Sequence, residues 1–157
     1  MTVKQLCGNL KVKTEGEGFT DITESLNHWI KKERILNAIL NITCLHTSCS
    51  LTINENADPR VLNDLSAYMQ SIVSEDGVIP IGGNSKTIKY KHCEEGKDDM
   101  PAHIRTSLTS SSLGLSIQNG ILNLGTWQAV YLWEHRHLSH ERKLALHAIG
   151  EIKTKSY

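Results

Sequence analysis

A single dipeptide, Asn119-Gly120, constrains the fold of this sequence more than any other feature. It lies between two short runs rich in apolar residues, and Asn-Gly fits the positive φ angles of the type I′ turn that joins two antiparallel strands. We therefore predict a β-hairpin at this point, followed by two more strands that a turn separates. The strands predicted in this part of the chain are 115–118, 121–124, 126–136 and 143–152, and the turn is 137–140.

Two segments have the apolar spacing of amphipathic helices. The first follows the capping side chains of 20–24 and ends near 31–34. The second begins at Asp58-Pro59, because aspartate can cap free N–H groups and proline suits the first turn. A third, short helix is expected after Asp99 as its cap. The predicted buried stripe of the second helix is Leu62, Leu65, Met69, Ile72 and Val73.

The other predicted elements are strands. The chain opens with a strand to about Lys13 and a turn at 16–18. A long strand is expected at about 38–54, apolar on both faces at first and then alternating, so that one polar face emerges from the core. A further strand is predicted at 86–93, after the glycine-rich stretch 82–84. The emerging polar face would carry His46, Ser48, Ser50, Thr52 and Asn54.

Taken together, these elements predict an α+β fold. Strands outnumber helices, which favours a β-sandwich or a bent mixed or antiparallel sheet with two to three flanking helices. A chain of 157 residues has the usual size of one domain and can bury a core without disulfides. We therefore expect residues 1–157 to form a single domain.

Charge and composition exclude several classes of function. The chain has 17 lysines and arginines and 17 aspartates and glutamates, without a basic block, which argues against nucleic acid or an anionic membrane as the partner. We find neither a membrane-length apolar run nor a secretory signal, so a cytoplasmic location is expected. The four cysteines lack a C-x-x-C pair and are expected to be reduced thiols, with Cys44 and Cys49 held apart by an extended strand.

The segment 46–58 contains the first group of residues that could carry chemistry. An imidazole, several hydroxyls and an amide alternate along its strand half, and Glu55 and Asp58 follow just before a helix N-terminus. Hydroxyls, free N–H groups and the positive end of a helix suit a phosphate or carboxylate ligand. For Asp58 alone, capping of the helix is the better interpretation.

Two further groups lie later in the sequence. His92 and His103 flank an acidic loop, and with His46 they could offer three nitrogen donors to a metal ion, although isolated histidines are also common acid–base or hydrogen-bonding residues. On the strand at 126–136, alternation places Thr126, Gln128, Glu134 and Arg136 on one face, where arginine could grip a phosphate. The alternative is an internal Glu134–arginine salt bridge, with Trp127 and Trp133 in the core.

At 46–59, 95–103 and 124–128 the sequence resembles the YjbQ family, whose members carry the label secondary thiamine-phosphate synthase. The resemblance spans essentially the whole chain. It implies a β-sandwich with flanking helices, assembly as a homotrimer and a metal site of histidines near the subunit boundary. The sequence departs from the family pattern at Lys97 and at Ala129, where a glycine is usual.

The resemblance and the residue patterns together give expected roles for particular residues. We expect a divalent metal ion, with zinc first among the alternatives, on His46, His92 and His103. The expected catalytic residues are Glu55, Asp58, Asp98 and Glu134. The expected substrate-binding residues are Thr47, Ser48, Ser50, Asn54, Thr126, Gln128 and Arg136.

The resulting hypothesis is a metal-dependent enzyme that acts on a phosphorylated or pyrophosphorylated small molecule. Thiamine-phosphate synthesis, in which a pyrimidine pyrophosphate reacts with a thiazole phosphate, is the specific form that the resemblance implies. Two alternatives stay open at this point. The same residues would serve a metal-assisted hydrolase, and they would also serve a non-catalytic trimer that binds a metal ion or an anionic metabolite.

Overall fold

In the computed structural model, residues 3–82 and 86–153 are described, and they form eight strands and three helices. The strands are β1 (Lys4–Lys13), β2 (Gly18–Asp21), β3 (Ile35–Cys44), β4 (Cys49–Glu55), β5 (Ser112–Gln118), β6 (Ile121–Leu122), β7 (Gln128–Glu134) and β8 (Glu141–Ile152). The helices are α1 (Thr23–Lys32), α2 (Pro59–Ile72) and α3 (Asp99–Leu108). None of these helices is long and apolar enough to cross a membrane.

The strands form two antiparallel sheets. The larger has the order β1-β8-β3-β5-β6 and the smaller has the order β2-β7-β4. The Leu51 N–H of β4 donates to the Ser110 carbonyl at 2.7 Å, which ties the smaller sheet to the chain just before β5. The predicted α+β class, with curled antiparallel sheets and three helices, is confirmed. That residues 1–157 form one domain stays a prediction.

The core lies between the two sheets and is closed by α1. Leu26 and Ile30 of α1 are fully buried, and they join the inward residues of the larger sheet, such as Leu40 and Leu144. Each such side chain contributes about 1.5–3 kcal/mol through its removal from water. This apolar layer fixes the positions of the strand ends from which the polar residues project.

The hairpin at Asn119-Gly120 is confirmed. Both residues have positive φ angles, 52° and 83°, and Gln118 pairs with Ile121 across the turn. The Gly120 N–H donates to the Leu36 carbonyl at 2.9 Å, so the turn is also tied to the rest of the sheet. The predicted strands near the two chain ends are present as β1 and β8.

The predicted long strand at 38–54 is wrong, because the chain leaves the larger sheet after Cys44 and enters the smaller one at Cys49. The Cys44 N–H donates to the Ser111 carbonyl at the end of β3, whereas β4 pairs with β7. Segment 45–48 is therefore a connection between sheets. As a result the two thiols are not held apart: their Sγ atoms lie 2.9 Å from each other, and both are free and buried.

Several other predicted features differ from the structure. No strand forms at 86–93, where a single bridge joins Val78 to Ile88, and Gly83 and Asn84 lie outside the described residues. The predicted stripe of α2 is mostly half-buried, and Ile72 is 51% exposed, so this helix packs against the surface of the smaller sheet. The N-cap of α3 is Asp98, since Asp99 is already helical. The short strand β2 was not predicted, because its four residues carry no periodic signal.

Candidate metal site

Three metal-ligating side chains converge at the start of α3. Asp99 and His103 are four residues apart, so they project from the same face of the helix, and His92 reaches them from the preceding loop. His92 Nε2 lies 2.7 Å from Asp99 Oδ2, and His103 Nε2 lies 3.7 Å from the same oxygen. Within the described part of the chain, this is the group whose donor atoms all lie within 4.8 Å of one another. His46, the third predicted ligand, does not belong to it.

These separations fit a metal ion. Zinc binds imidazole nitrogen and carboxylate oxygen at about 2.0–2.2 Å, so neighbouring ligand atoms around it stand about 3–3.5 Å apart. The two histidine nitrogens lie 2.7 and 3.7 Å from Asp99 Oδ2, on either side of that range. Two imidazoles and one carboxylate leave coordination positions open, as in catalytic zinc and non-haem iron sites. The donor set therefore suits a divalent ion that can also meet a substrate.

The Asp99 carboxylate divides its two oxygens between the histidines and Arg136. Oδ2 faces the imidazoles, while Oδ1 accepts a hydrogen bond from Arg136 Nη1. The same guanidinium donates to Asp98 Oδ2 at 3.0 Å and to the Glu95 carbonyl at 2.7 Å. Arg136 is thus engaged on three sides by the protein itself. It orients Asp99 rather than projecting toward a cleft.

Asp98 holds this arrangement from the other side. It is 8% exposed, and its Oδ2 accepts a hydrogen bond from the His137 N–H at 2.9 Å as well as one from Arg136. Burial acts to raise the pKa of Asp98, but the hydrogen bonds from His137 and Arg136 outweigh it and lower that pKa. Asp98 is therefore ionised, and its carboxylate is occupied in fixing Arg136.

The tautomer of His103 follows from its own hydrogen bond. His103 Nδ1 lies 3.0 Å from the Thr47 carbonyl oxygen, which can only accept, so Nδ1 carries the proton. In the neutral imidazole, His103 Nε2 then keeps its lone pair and can bind a metal ion. A backbone carbonyl on the second ring nitrogen is the usual way in which proteins orient a metal-binding histidine.

An open cleft of about 610 Å³ adjoins His103. Hydroxyl groups dominate its polar lining, and His46 stands at its wall. Burial, assisted by the positive charge of Arg142, lowers the pKa of His46, so this imidazole is neutral near pH 7. The lining residues are Cys44, Leu45, His46, Thr47, His103, Thr106, Ser107 and Ser111.

Behind the cleft wall lies a buried ion pair. Glu134 is fully buried, and both its oxygens accept hydrogen bonds from Arg142, at 2.6 and 2.7 Å. Burial acts to raise the pKa of Glu134, but the Arg142 guanidinium holds that pKa below its usual value. The salt-bridge interpretation of Glu134 is therefore the one that the geometry matches, with Arg142 as its partner. Ser48 and Ser50, predicted to face a cavity, are also buried here.

The other predicted site residues lie at the far end of the smaller sheet. Glu55 ends β4, about 20 Å along the strand from Cys49 at roughly 3.3 Å per residue. Its Oε1 accepts from the Ala57 N–H at 2.8 Å, and Asp58 caps α2 by accepting from the Arg60 N–H at 3.0 Å. The structure thus separates the predicted polar face into two clusters. The residues of the far cluster are Asn54, Glu55, Asp58, Thr126 and Gln128.

The two tryptophans of the third predicted segment have different environments. Trp133 is buried and stacks on Phe19 with ring centroids 4.4 Å apart. Trp127 is 64% exposed, so its assignment to the core is wrong. Trp127 precedes β7 in a turn that Gln128 closes, because the Gln128 side chain accepts a hydrogen bond from the Gly125 N–H. Trp127 therefore lies before β7 and does not take part in the alternation of buried and exposed residues along a strand.

Sequence reasoning missed Asp99 as a donor and Arg142 as the buried cation. Asp99 was assigned a capping role, although its spacing of four residues from His103 in a helix could have suggested a shared face. Arg142 carried no such signal, because its partner Glu134 lies on a neighbouring segment beyond a turn. Only the fold brings these two residues together.

Comparison with known proteins places this chain in a protein family. A family model described as UPF0047 protein YjbQ-like matches residues 8–151. A UPF0047 protein of Synechocystis sp. is 40% identical over 143 residues, which cover 91% of this chain and 90% of that protein. The UPF0047 protein YjbQ of Escherichia coli O157:H7 is 35% identical and covers 90% of this chain and 96% of its own length.

Solved structures agree with the fold. A YjbQ/UPF0047 family protein of unknown character from Clostridium acetobutylicum superposes with a TM-score of 0.74 at 32% identity, over 92% of this chain and 98% of that one. A YbjQ-like protein of unknown function from Sulfolobus solfataricus superposes with a TM-score of 0.79. At 20% identity over 96% of this chain and 100% of that one, this second likeness concerns the fold alone.

Proposed function

This chain belongs to the YjbQ-like UPF0047 family, and we propose that it is a metal-dependent enzyme acting on a phosphorylated small molecule. Thiamine-phosphate synthesis is the specific reaction that we propose to test first. In that reaction the methylene carbon of a pyrimidine pyrophosphate loses pyrophosphate and forms a bond to the nitrogen of a thiazole phosphate. This reaction is the one that the resemblance implies, since the matching relatives are known only as UPF0047 proteins.

One observation carries the proposal. His92, Asp99 and His103 bring three donor atoms within 4.8 Å of one another, and His103 also lines an open cleft rich in hydroxyl groups. A purely structural zinc site is usually closed by four protein ligands, whereas three ligands beside a cleft are typical of a catalytic site. We propose that His92 Nε2, Asp99 Oδ2 and His103 Nε2 hold the ion. When bound, a divalent ion would offset negative charge on phosphoryl oxygens.

The protein residues would position the substrate and support the donors. Thr47 and Ser111 line the cleft as exposed residues, and their hydroxyl groups can donate to phosphate oxygens. Arg136 acts in this proposal as a positioning residue, since it orients Asp99 through hydrogen bonds and is not free to grip a phosphate. The hydroxyl groups of the cleft, together with a bound ion, would hold the leaving group in line, which is the main demand of such a displacement.

The test is formation of thiamine phosphate from the two purified precursors across a series of divalent metals. We expect metal-dependent product from the wild type and at least a tenfold loss in Asp99→Asn, because the amide cannot provide an anionic ligand. The matched control is Asp64→Asn, the same change at an exposed position of α2. It should leave the rate unchanged. Absence of product from the wild type with every metal would contradict the synthase assignment.

A second readout separates an enzyme from a binding protein. Binding of the pyrimidine pyrophosphate to wild type and to Asp99→Asn is measured in parallel with turnover. An enzyme should lose more turnover than binding, whereas a non-catalytic binder should show no turnover at all. The homotrimer remains an expectation from the resemblance, and light scattering on the purified chain would measure it. The cytoplasmic location remains an expectation from the sequence.

A further inference from the structure

We propose that His46 is not a metal ligand but a hydrogen-bond donor, whose Nε2–H group points to an anionic oxygen of the ligand in the cleft. The inference rests on the proposed function, since it assigns the cleft beside the metal donors to a phosphoryl group. It differs from the expectation that three histidines bind the metal. The contacts of the two imidazoles that line this cleft carry the argument.

The first step concerns Nδ1 of His46. The Ser48 N–H lies 3.2 Å from this nitrogen, and the Ser48 Oγ lies 3.0 Å from it. A backbone N–H can only donate, so His46 Nδ1 must offer its lone pair. A neutral imidazole has a proton on one nitrogen only, and in His46 that proton is therefore on Nε2.

The second step shows that the Ser48 hydroxyl reinforces this tautomer. Arg142 Nη2 lies 3.3 Å from Ser48 Oγ, and a guanidinium has donors but no acceptor. The hydroxyl oxygen accepts from Arg142, and its hydrogen is free to point to His46 Nδ1. Arg142 is itself held by Glu134 through two hydrogen bonds, and both residues are buried. The direction of donation is thus fixed from Arg142 through Ser48 to His46.

The third step is the contrast with His103. His103 Nδ1 faces the Thr47 carbonyl, which is an acceptor, so His103 Nε2 keeps a lone pair. His46 Nδ1 faces two donors, so His46 Nε2 carries a proton. A metal ion needs a lone pair, whereas an anionic oxygen needs a donor. The two histidines of one cleft are therefore set up for opposite tasks.

The surroundings of His46 fit an oxyanion such as a phosphoryl group. The cleft of about 610 Å³ is also lined by Thr47, an exposed residue whose hydroxyl can donate a hydrogen bond. The N–H of a neutral imidazole and this hydroxyl are both donors, so together they recognise an oxygen acceptor. Both groups are uncharged, so they bind the oxygen through hydrogen bonds and not through an ion pair.

The direct test is nitrogen-15 NMR of the histidine side chains during titration of the whole protein with zinc. His46 signals are assigned by their loss in His46→Gln, and His103 signals by their loss in His103→Gln. We expect the His46 cross-peaks to show the Nε2–H tautomer both before and after zinc, while the His92 and His103 nitrogens shift. A His46 nitrogen that shifts like a zinc ligand, or an Nδ1–H pattern, overturns the inference.

The same spectra separate the failure of this inference from failure of the proposed function. If no histidine nitrogen responds to zinc, the metal site is wrong, whereas the tautomer of His46 is still read from the zinc-free spectrum. If His92 and His103 respond and His46 responds with them, the metal site stands and our assignment of His46 falls.

A pair of variants tests the donor role with inorganic phosphate as the probe, followed by phosphorus-31 line widths on the metal-free protein. The side chain introduced by His46→Asn can still accept from Ser48 but has no group at the reach of Nε2, whereas His46→Gln places an amide N–H there. We expect His46→Asn to weaken phosphate binding about tenfold, with part of the affinity restored in His46→Gln. Zinc affinity should stay within twofold in both. Unchanged phosphate binding in His46→Asn, or lost zinc affinity, would overturn the assignment.

Discussion

Replacing Arg136 with lysine would test how far the hydrogen bonds from Arg136 hold Asp99 in place as a metal ligand. The substitution keeps the positive charge but removes the planar fork that reaches three acceptors. Those acceptors are Asp98 Oδ2 at 3.0 Å, the Glu95 carbonyl at 2.7 Å and Asp99 Oδ1. A lysine ammonium on its flexible stem can keep one of these contacts in place. The carboxylates of Asp98 and Asp99 would then no longer be held by hydrogen bonds from one common guanidinium.

The expected size of the effect follows from those contacts. Hydrogen bonds to charged groups contribute about 1.5–3 kcal/mol each, so the loss of two predicts a destabilisation of about 3 kcal/mol or more. For a chain of this size, 1 kcal/mol corresponds to about 2–4 °C, so Tm should fall by about 6–12 °C. Loss of a group that orients a metal ligand typically lowers metal affinity by about 10–100-fold.

Calorimetric unfolding and zinc titration of Arg136→Lys measure both effects. The matched control is Arg60→Lys, because Arg60 makes the same kind of fork with Asp58 on α2 but has a side chain that is 83% exposed. Such an exposed pair should give no measurable change in Tm or in zinc affinity. An Arg136→Lys variant that resembled the control in both measurements would refute the support role.

Three further predictions concern buried groups. Glu134→Gln should destabilise the protein by about 3–5 kcal/mol in urea unfolding, because it leaves the Arg142 guanidinium buried without a counter-charge, and a loss under about 1 kcal/mol would contradict this. Burial lowers the pKa of His135 from 6.5 to about 4, so the unfolded chain takes up a proton there before the folded chain does, and stability is lost as the pH falls through this window. Between pH 6.5 and pH 4, the free energy of unfolding should fall by about 3 kcal/mol more in the wild type than in His135→Gln. Equal losses in the two proteins would contradict the role of His135. A thiol-reactive disulfide reagent should label two cysteines quickly in the folded protein and two only on unfolding, whereas rapid labelling of all four would contradict the burial. The fast pair is Cys7 and Cys93, and the slow pair is Cys44 and Cys49.

Local signals in the sequence predicted the elements that local physics determines. Asn119-Gly120 specifies its turn through backbone conformation, and Asp58-Pro59 specifies the start of α2 through capping and a fixed proline φ. Both are present in the structure. The apolar stripe of α1 likewise marks the face that the core buries.

Features that depend on partners distant in sequence could not be predicted in this way. The break at 45–48 arises because β3 and β4 pair with strands of different sheets, and the alternation of residues in this segment gives no sign of it. Period-2 alternation describes either one long strand or two short ones, so the pattern cannot separate them. For the same reason, the residues of 46–58 that were predicted to share one polar face lie in two separate clusters in the structure.

The candidate site illustrates the same limit. His92 and His103 were expected to converge, and their ring centroids lie 5.4 Å apart. Asp99 completes the donor group through a helical spacing that the sequence contained, whereas Arg136 reaches it from 37 positions away. A tertiary ion pair of that kind is invisible to patterns within a short window. The far cluster around Glu55 shows the converse, since residues near in sequence to His46 are distant from the site.

The most direct test of the central claim is anomalous diffraction at the zinc edge from crystals of the zinc-loaded protein. We predict one strong peak within about 2.0–2.2 Å of His92 Nε2, Asp99 Oδ2 and His103 Nε2, and no such bond to His46. A peak at another location, or no peak at these three donors after zinc loading, would contradict the proposed metal centre.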